Sequence, residues 1–241
     1  MNPADLILWQ DADLLAVNKP AGLPTLPDGY QPDAPCLVAA LQAAFGRVWV
    51  VHRLDKETSG VIVLARTAEA HRALNAQFRD RETVKTYHAL VVGDPSWTER
   101  TVKLPLRSDG DRRHRTVVDA RKGKPAVTHL RVLERFTAYS LLEASPETGR
   151  THQIRAHLAA LGFPLVGDLL YASKDGALRG AAGAGLRQPL IESAPLRRLG
   201  LHAWSLAITH PVTGDAMRFE SPYPEDFAAA VERLRRGRRP S

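Results

Sequence analysis

Residues 51–65 read VHRLDKETSGVIVLA, a short charged turn followed by an apolar run. The run from Val61 to Ala65 is typical of a buried β-strand. The turn places the carboxylate of Asp55 at the entrance of that strand, two residues after Arg53 and just before a Thr-Ser-Gly sequence. From these residues alone two interpretations stay open: a carboxylate held at the mouth of a cleft, or a polar turn that caps a strand.

Segments with extended and helical periodicity lie on both sides of this strand. Apolar runs or alternating patterns predict strands over 6–10, 14–19, 85–93, 128–134 and 138–144. Helical spacing predicts helices over 37–45, after caps at Thr67 and Thr151, and from Pro224 onward. We expect an α+β fold with a central, mostly antiparallel mixed sheet flanked by helices.

The composition is that of an ordinary globular protein: of 241 residues, 44% are hydrophobic and 24% charged. Apolar runs stay far below the roughly 20 residues of a membrane span, and the first residues lack the pattern of a signal peptide. We therefore expect a cytoplasmic protein. The single cysteine, Cys36, excludes an internal disulfide and a cysteine-cluster metal site.

Positive charge indicates a polyanionic partner. The net charge is +7, part of which lies in the arginine-rich end at 235–239. Residues 104–124 form the most basic internal segment, and turn signals at Asp109-Gly110 and Lys122-Gly123 predict a hairpin or loop. This basic hairpin is the best internal candidate for a loop that grips such a partner, and a solvated charged loop is the alternative.

Several motifs resemble those of the RluA family of pseudouridine synthases. HRLDKETSG at 52–60 is similar to the family's catalytic motif, and NKPAGL at 18–23 to its first motif. KTYHALVVG at 85–93 and GRTHQIRAH at 149–157 are similar to the second and third motifs. Members of this family isomerise particular uridines in ribosomal or transfer RNA. The resemblance implies the same activity here, and it also supplies the expected order of strands.

The resemblance implies roles for three catalytic residues. Asp55 is the essential group, which either attacks the substrate covalently or removes a proton from the sugar. Tyr87 packs under the target base, for which a phenol ring is suited because it stacks while its hydroxyl keeps a polar contact. Arg155 pairs with Asp55 and holds the carboxylate ionised. The reaction needs neither a cofactor nor a metal.

Three further residues are expected to contact the RNA or support the site. Ile154 packs beside Tyr87. Arg53 fills the space that a flipped nucleotide leaves in the RNA stack, or binds a phosphate. Lys19, in the first motif, is a structural or RNA-facing cation.

The resemblance covers roughly residues 6 to 220. We expect a catalytic domain over 1–225 and a terminal helix with a basic tail over 226–241. The length before the first motif leaves no room for an S4-type RNA-binding module, so the chain resembles the minimal branch of the family, and we expect a monomer. Residues 173–200 are predicted to form a variable surface loop.

Two other functions remain as alternatives. The first is a non-catalytic RNA-binding protein that keeps the fold. The second is a hydrolase or nuclease that uses His52, Asp55 and Ser59, although one loop is a poor frame for a catalytic triad and no Gly-x-Ser-x-Gly sequence is present. A metal site at His152 and His157 is disfavoured, because a spacing of five does not align them on one helical face.

Overall fold

The computed structural model of the chain describes residues 2–27, 31, 33–171 and 194–237. In this part of the chain a 3-10 helix, Pro3–Leu6, precedes the first strand. The strands are β1 Ile7–Gln10, β2 Leu14–Lys19, β3 Trp49–Val50, β4 Ser59–Ala65, β5 Val84–Val92, β6 Glu99–Val102, β7 Leu106–Arg107, β8 Val117–Val118, β9 Thr128–Arg135, β10 Tyr139–Pro146, β11 Leu201–Thr209 and β12 Ala216–Glu220. The helices are α1 Leu37–Phe45, α2 Ala68–Asp80, α3 Gln153–Ala160 and α4 Glu225–Arg236. The predicted α+β class is confirmed.

The chain forms two compact units. The first unit comprises Met1–Thr86 and His202–Pro224, and the second comprises Tyr87–Leu201 and Glu225–Ser241. Helix α4 begins at Glu225, one residue before the predicted terminal segment, and it belongs to the second unit. The predicted surface loop lies largely outside the described residues, as does the end of the basic tail. The proposed division into domains at residue 225 stays a prediction.

The first unit contains a mixed, mostly antiparallel sheet. Its strands follow the order β1, β2, β4, β11, with β12 beside β11 and β3 beside β4. Neighbours run antiparallel except β4 and β11, which pair in parallel through Ser59 with His202 and Gly60 with Ala203. The apolar run of β4 is buried along its whole length, as its composition predicts.

Helix α2 packs on β4 in the first unit. Thr67 caps it as predicted, since its hydroxyl accepts the backbone N–H of Ala70 at 3.1 Å. Leu74 is fully buried on the inner face of the helix, and Gln77 is more deeply buried than the neighbouring Phe78. The Gln77 side chain forms two hydrogen bonds with the backbone of Thr209, at 2.8 and 2.9 Å, which explains why a polar residue occupies this position.

The second unit contains an antiparallel sheet in the order β5, β10, β9, β6. Helix α3 contacts β9 and β10, and its residues Ile154 and Leu158 belong to the core cluster of this unit. Strands β7 and β8 pair separately as a short two-stranded sheet. The basic segment therefore forms the hairpin that its turn residues predict. Throughout the described ranges, no helix is both long and apolar enough to cross a membrane.

Candidate active site

Asp55 lies in the loop between β3 and β4 of the first unit and is half-buried. The loop is anchored next to it by Leu54, which is buried and forms two hydrogen bonds with the Thr25 hydroxyl, at 3.0 and 3.3 Å. On the other side, the backbone N–H of Thr58 donates to the backbone oxygen of Asp55 at 3.1 Å. Arg53 is exposed. The turn is therefore held in place on both sides while its two charged residues keep access to solvent.

Lys19 supports this turn from its buried side. Its side chain is fully buried, and Nζ donates to the backbone oxygens of Pro20, Leu23 and Lys56 at 2.7 to 3.0 Å. The backbone N–H of Gly22 also donates to Lys56, at 2.9 Å. These bonds tie the first motif to the residue that follows Asp55. Its Nζ thus bonds three backbone oxygens around the turn, and the role expected for Lys19 in the site stays a prediction.

His52 is partly buried and is held by a hydrogen bond and a ring contact. Its Nε2 accepts the backbone N–H of Val63 at 3.0 Å, and its ring stacks on Phe78 with a centroid distance of 4.4 Å. Desolvation, together with the positive charge of Lys85, lowers the pKa of the His52 imidazole to about 3. A neutral, hydrogen-bonded imidazole of this kind holds the start of the motif against β4.

Ser59 is likewise held in a structural pair. Its hydroxyl lies 3.0 Å from Nδ1 of His202, and Nε2 of that histidine donates to the backbone oxygen of Ser221 at 3.0 Å. Both side chains are fully buried. The Ser59 hydroxyl bonds His202 and the His52 Nε2 bonds Val63, so His52 and Ser59 do not bond each other. The alternative of a hydrolase that uses His52, Asp55 and Ser59 as a triad is therefore wrong.

Gly60 explains why the motif ends in glycine. It has a φ of +120°, and a Cβ atom at this position would lie 2.2 Å from the backbone oxygen of Ala203. Only glycine allows β11 to approach β4 this closely. The glycine of the Thr-Ser-Gly sequence is thus required by strand packing immediately behind the Asp55 turn.

Tyr87 and Ile154 lie in the second unit. Tyr87 stands on β5 opposite Ala144 and is half-buried against the core cluster that contains Ile154. Ala89 and Val91 follow it on the same face, as the alternating pattern predicts. The structure therefore brings Tyr87 and Ile154 to one cluster and leaves part of the tyrosine accessible.

A buried polar network sets the position of α3. The Gln153 amide accepts hydrogen bonds from the Thr148 hydroxyl and the Arg150 backbone, at 2.7 and 3.1 Å, and donates to Val127 O and the Thr128 hydroxyl, both at 2.9 Å. These bonds hold the turn before the helix. The expected cap at Thr151 is wrong: the helix begins at Gln153, whose own side chain organises the turn.

His157 completes this network one turn along α3. Its Nδ1 pairs with the Thr128 hydroxyl at 2.9 Å, and its Nε2 with the backbone oxygen of Leu104 at 3.0 Å. Burial lowers the pKa of the imidazole, although the bond to Leu104 opposes that shift. Both nitrogens are occupied, which leaves no lone pair for a metal. Sequence reasoning missed Gln153 and His157 as a pair, although their spacing of four places them on one helical face.

Arg155 projects from the same helix into a buried ion pair. Its Nε and Nη2 donate to the two carboxylate oxygens of Asp168 at 2.8 and 2.9 Å, and its guanidinium lies 5.1 Å from the ring centre of Tyr171. The bidentate geometry fixes the plane of the guanidinium. Sequence reasoning missed the contacts of Asp168 and Tyr171 with Arg155, since both residues lie more than ten positions further along the chain. The pairing of Arg155 with Asp55 stays a prediction.

Part of the positive charge of the basic hairpin is neutralised by ion pairs within the hairpin itself. Arg107 pairs with Asp119 at 2.6 Å and Arg115 with Asp111 at 2.7 Å. Hydrogen bonds from the Lys122 backbone and from Arg107 lower the pKa of Asp119 to about 2. The exposed cations of the hairpin are Arg112, Arg113, Arg121, Lys122 and Lys124. Paired arginines shape this hairpin, and exposed ones face solvent.

Asp11, Asp13 and His210 form a group whose possible ligand atoms lie within 4.8 Å of one another. These atoms already serve the hairpin turn. Asp11 accepts the backbone N–H groups of Asp13 and Leu14 at 2.8 and 2.9 Å, and His210 Nε2 lies 3.1 Å from the same carboxylate. We assign this group to the stability of the turn.

Comparison with known proteins decides which family contains this arrangement. The family model described as RNA pseudouridylate synthase matches residues 13–160, more than half of the chain. Ribosomal large subunit pseudouridine synthase D of Pseudomonas aeruginosa is 42% identical over 238 residues, covering 96% of this chain and 72% of the relative. The chain belongs to the RluA-type family of RNA pseudouridine synthases.

Other relatives agree with this membership. Dual-specificity RNA pseudouridine synthase RluA of Escherichia coli is 41% identical over 220 residues, covering 90% of this chain and 92% of the relative. The solved structure of human RNA Pseudouridylate Synthase Domain Containing 4 covers 97% of this chain and 95% of its own, with a TM-score of 0.75 and 29% identity. This RluA-type chain is accordingly an isomerase that forms pseudouridine in RNA.

Proposed function

We propose that this RluA-type enzyme acts on specific uridines of ribosomal or transfer RNA and that Asp55, Tyr87 and Arg155 carry the reaction. The observation that supports it most strongly is the construction of the Asp55 turn. Lys19 and Thr25 hold the backbone around Asp55, yet the carboxylate and the neighbouring Arg53 remain accessible. Such a rigid frame around an accessible acid is what a catalytic group requires.

The chemistry is an isomerisation. The bond between N1 of uracil and C1′ of ribose breaks, the base rotates, and C5 bonds to C1′ while the proton on C5 is lost and N1 gains one. Atoms and electrons balance without an oxidant or a cofactor. Asp55 acts as a carboxylate in either of two ways, by covalent attack or by removal of a proton from the sugar.

Arg155 is proposed to pair with Asp55 and favour its ionised form, because a neighbouring cation stabilises a carboxylate. This pairing rests on the resemblance of GRTHQIRAH to the family's third motif. Asp168 supports the role by holding the guanidinium in one plane. Loss of Arg155 would therefore reduce turnover more than RNA affinity.

Access to the buried bond requires that the uridine leave the RNA stack, which costs a few kcal/mol. We propose that Tyr87 supports the flipped base, with Ile154 packed beside it. Arg53 fills the vacated space or binds a phosphate, for which its exposed position is suitable. Lys19 contributes by holding the loop.

The RNA class is proposed from the relatives. The Pseudomonas aeruginosa relative is named for the large ribosomal subunit, and the Escherichia coli relative is named as a dual-specificity enzyme. The exposed cations of the basic hairpin are proposed to contact phosphates of either RNA. A monomeric state and a cytoplasmic location remain predictions.

The decisive experiment measures tritium release from RNA labelled at C5 of uridine, with ribosomal and transfer RNA tested separately. We expect Asp55→Asn to reduce release by more than about a thousandfold, because the essential carboxylate is lost. The matched control is Glu57→Gln, which removes the same charge from an exposed residue of the same loop and should stay within about threefold of the wild type.

RNA binding by each variant separates the outcomes. Unchanged binding by Asp55→Asn, together with lost release, supports the proposed role. Release by Asp55→Asn at the rate of the wild type would refute it. Tight binding without release by the wild type on both RNAs would instead support the non-catalytic binding protein.

A further inference from the structure

A turn after α3 connects the groups that surround Arg155. It includes Asp168 and Tyr171, whose side chains are buried. The Asp168 carboxylate accepts the backbone N–H groups of Leu170 and Tyr171, each at 3.2 Å, while it also pairs with Arg155. A single aspartate thus fixes both the arginine and the tyrosine beneath it.

Tyr171 has contacts at both ends of its side chain, and the His152 imidazole lies beside it, with Nδ1 3.3 Å from the hydroxyl and the ring centres 5.9 Å apart. Its ring faces the Arg155 guanidinium at 5.1 Å, a distance at which a cation is attracted to an aromatic face. Its hydroxyl accepts the backbone N–H of Thr116 at 3.0 Å and donates to the backbone oxygen of the same residue at 3.1 Å. Desolvation raises the pKa of Tyr171 to about 12, so the hydroxyl keeps the proton that it donates.

Thr116 lies in the basic hairpin, just before β8. Next to it, the Arg115 guanidinium donates to the backbone oxygen of Leu170 at 3.3 Å. Leu106, from β7, joins Tyr171 and two alanines of α3, Ala156 and Ala159, in a small apolar cluster. The hairpin is therefore bonded and packed to the turn that carries Tyr171.

From these contacts we infer that Tyr171 is a positioning residue for Arg155. Its ring holds the guanidinium, and its hydroxyl ties that position to the basic hairpin. Because the proposed function assigns phosphate contacts to this hairpin, Tyr171 links the segment that would contact RNA to Arg155. The inference rests on the proposed function, which alone makes Arg155 catalytic.

The test is Tyr171→Phe, which keeps the ring and removes only the hydroxyl. We expect the single-turnover rate of tritium release at saturating RNA to fall about tenfold, since small displacements of a catalytic group are costly. The Kd for RNA should stay within about threefold, because the exposed cations are unchanged. Tyr171→Leu, which also removes the ring, should lower the rate by about a hundredfold.

The control is Tyr139→Phe, the same change at a buried tyrosine of the same unit, on β10. It should keep the wild-type rate. Titration with RNA gives the fraction of each variant that is competent to bind, which corrects for misfolding. A wild-type rate for Tyr171→Phe, or a loss explained entirely by a smaller competent fraction, would overturn the inference.

Arg155→Ala distinguishes this inference from the function on which it rests. If Arg155→Ala turns over like the wild type, the proposed role of Arg155 fails. If Arg155→Ala is impaired and Tyr171→Phe is not, only the positioning role of Tyr171 fails. Impairment of both, with RNA binding retained, supports the two together.

Discussion

Lys19 carries a charge into the interior of the first unit, where three backbone oxygens accept its hydrogen bonds. A buried ammonium is costly unless such bonds offset its desolvation. His52 avoids the cost of burying a charge because its imidazole is neutral, and its Nε2 accepts the backbone N–H of Val63. Around Asp55, single polar residues thus hold the loop by hydrogen bonds from its buried side.

The protonation of His52 predicts a pH dependence of stability. Its pKa in the folded protein, about 3, is below the ordinary value of 6.5, so the unfolded chain binds a proton first as the pH falls. The contribution of neutral His52 to the free energy of unfolding is fully present above pH 6.5. As the pH falls from 6.5 to about 3, this contribution is lost, by up to about 1.4 kcal/mol per pH unit. Urea denaturation at pH 7.5, 6.5 and 5.5 measures the effect.

The comparison variant is His52→Gln, whose side-chain oxygen can accept the Val63 N–H but does not titrate. Its free energy of unfolding should fall less steeply over the same pH range. His157, whose pKa burial also lowers, contributes equally to both proteins and cancels. Equal slopes in the two proteins would show that His52 is not the titrating group.

The turn before α3 shows how one element is positioned from within. Gln153 is buried and bonds four groups, on Thr148, Arg150, Val127 and Thr128. The helix begins at this residue, so the same side chain that holds the turn sets the direction in which Arg155, two residues later, projects. If the helix were held only at its exposed face, the direction in which the Arg155 side chain projects would be less well defined.

Substitution of Gln153 by methionine removes all four bonds while nearly keeping the volume. We expect a loss of about 2–4 kcal/mol in the free energy of unfolding, because several buried polar groups lose their partner. The control is Gln42→Met on α1, where the glutamine is exposed and donates one bond of 3.3 Å; that change should stay within about 1 kcal/mol. Chemical denaturation of both variants provides the measurement, and equal losses would contradict the assigned role of the network.

At the scale of the whole molecule, net positive charge is the property that favours binding of RNA. The net charge is +7, and the basic segment 104–124 holds seven lysines and arginines against three aspartates. Pairing within the hairpin neutralises some of these, so the exposed ones are the relevant contributors. Cations that neutralise phosphates release counterions, which makes binding dependent on salt.

The double substitution Arg112→Ala and Arg113→Ala should weaken RNA binding at every sequence and flatten the plot of log K against log salt. The slope should change by about 0.7 to 0.9 for each phosphate contact that is lost. The control pair, Arg72→Ala and Arg79→Ala on α2, removes the same charge from arginines that pair with Glu69 and Asp80. A parallel slope for the hairpin variant and the wild type would mean that the hairpin does not contact phosphates.

Local patterns were sufficient for most elements of this chain. The bounds of β2 and α1, the cap at Thr67 and the alternation of β5 agree with the sequence, because each depends on neighbours within a few residues. The motifs around Asp55, Tyr87 and Arg155 indicated the family, which the comparisons confirm.

Tertiary structure alone decided how the polar residues around the motifs are used. The sequence does not show that Lys19 turns inward, that Ser59 pairs with His202, or that Arg155 pairs with Asp168, because these partners are distant along the chain. A hydroxyl before a helix is a strong local signal and predicts a cap at Thr151, whereas the N-cap position is His152 without a side-chain cap, and Gln153 holds the preceding turn instead. The sequence by itself determined the elements and the chemical groups of this protein. Packing decided which buried donor meets which acceptor, because that choice depends on groups that come together only when the chain folds.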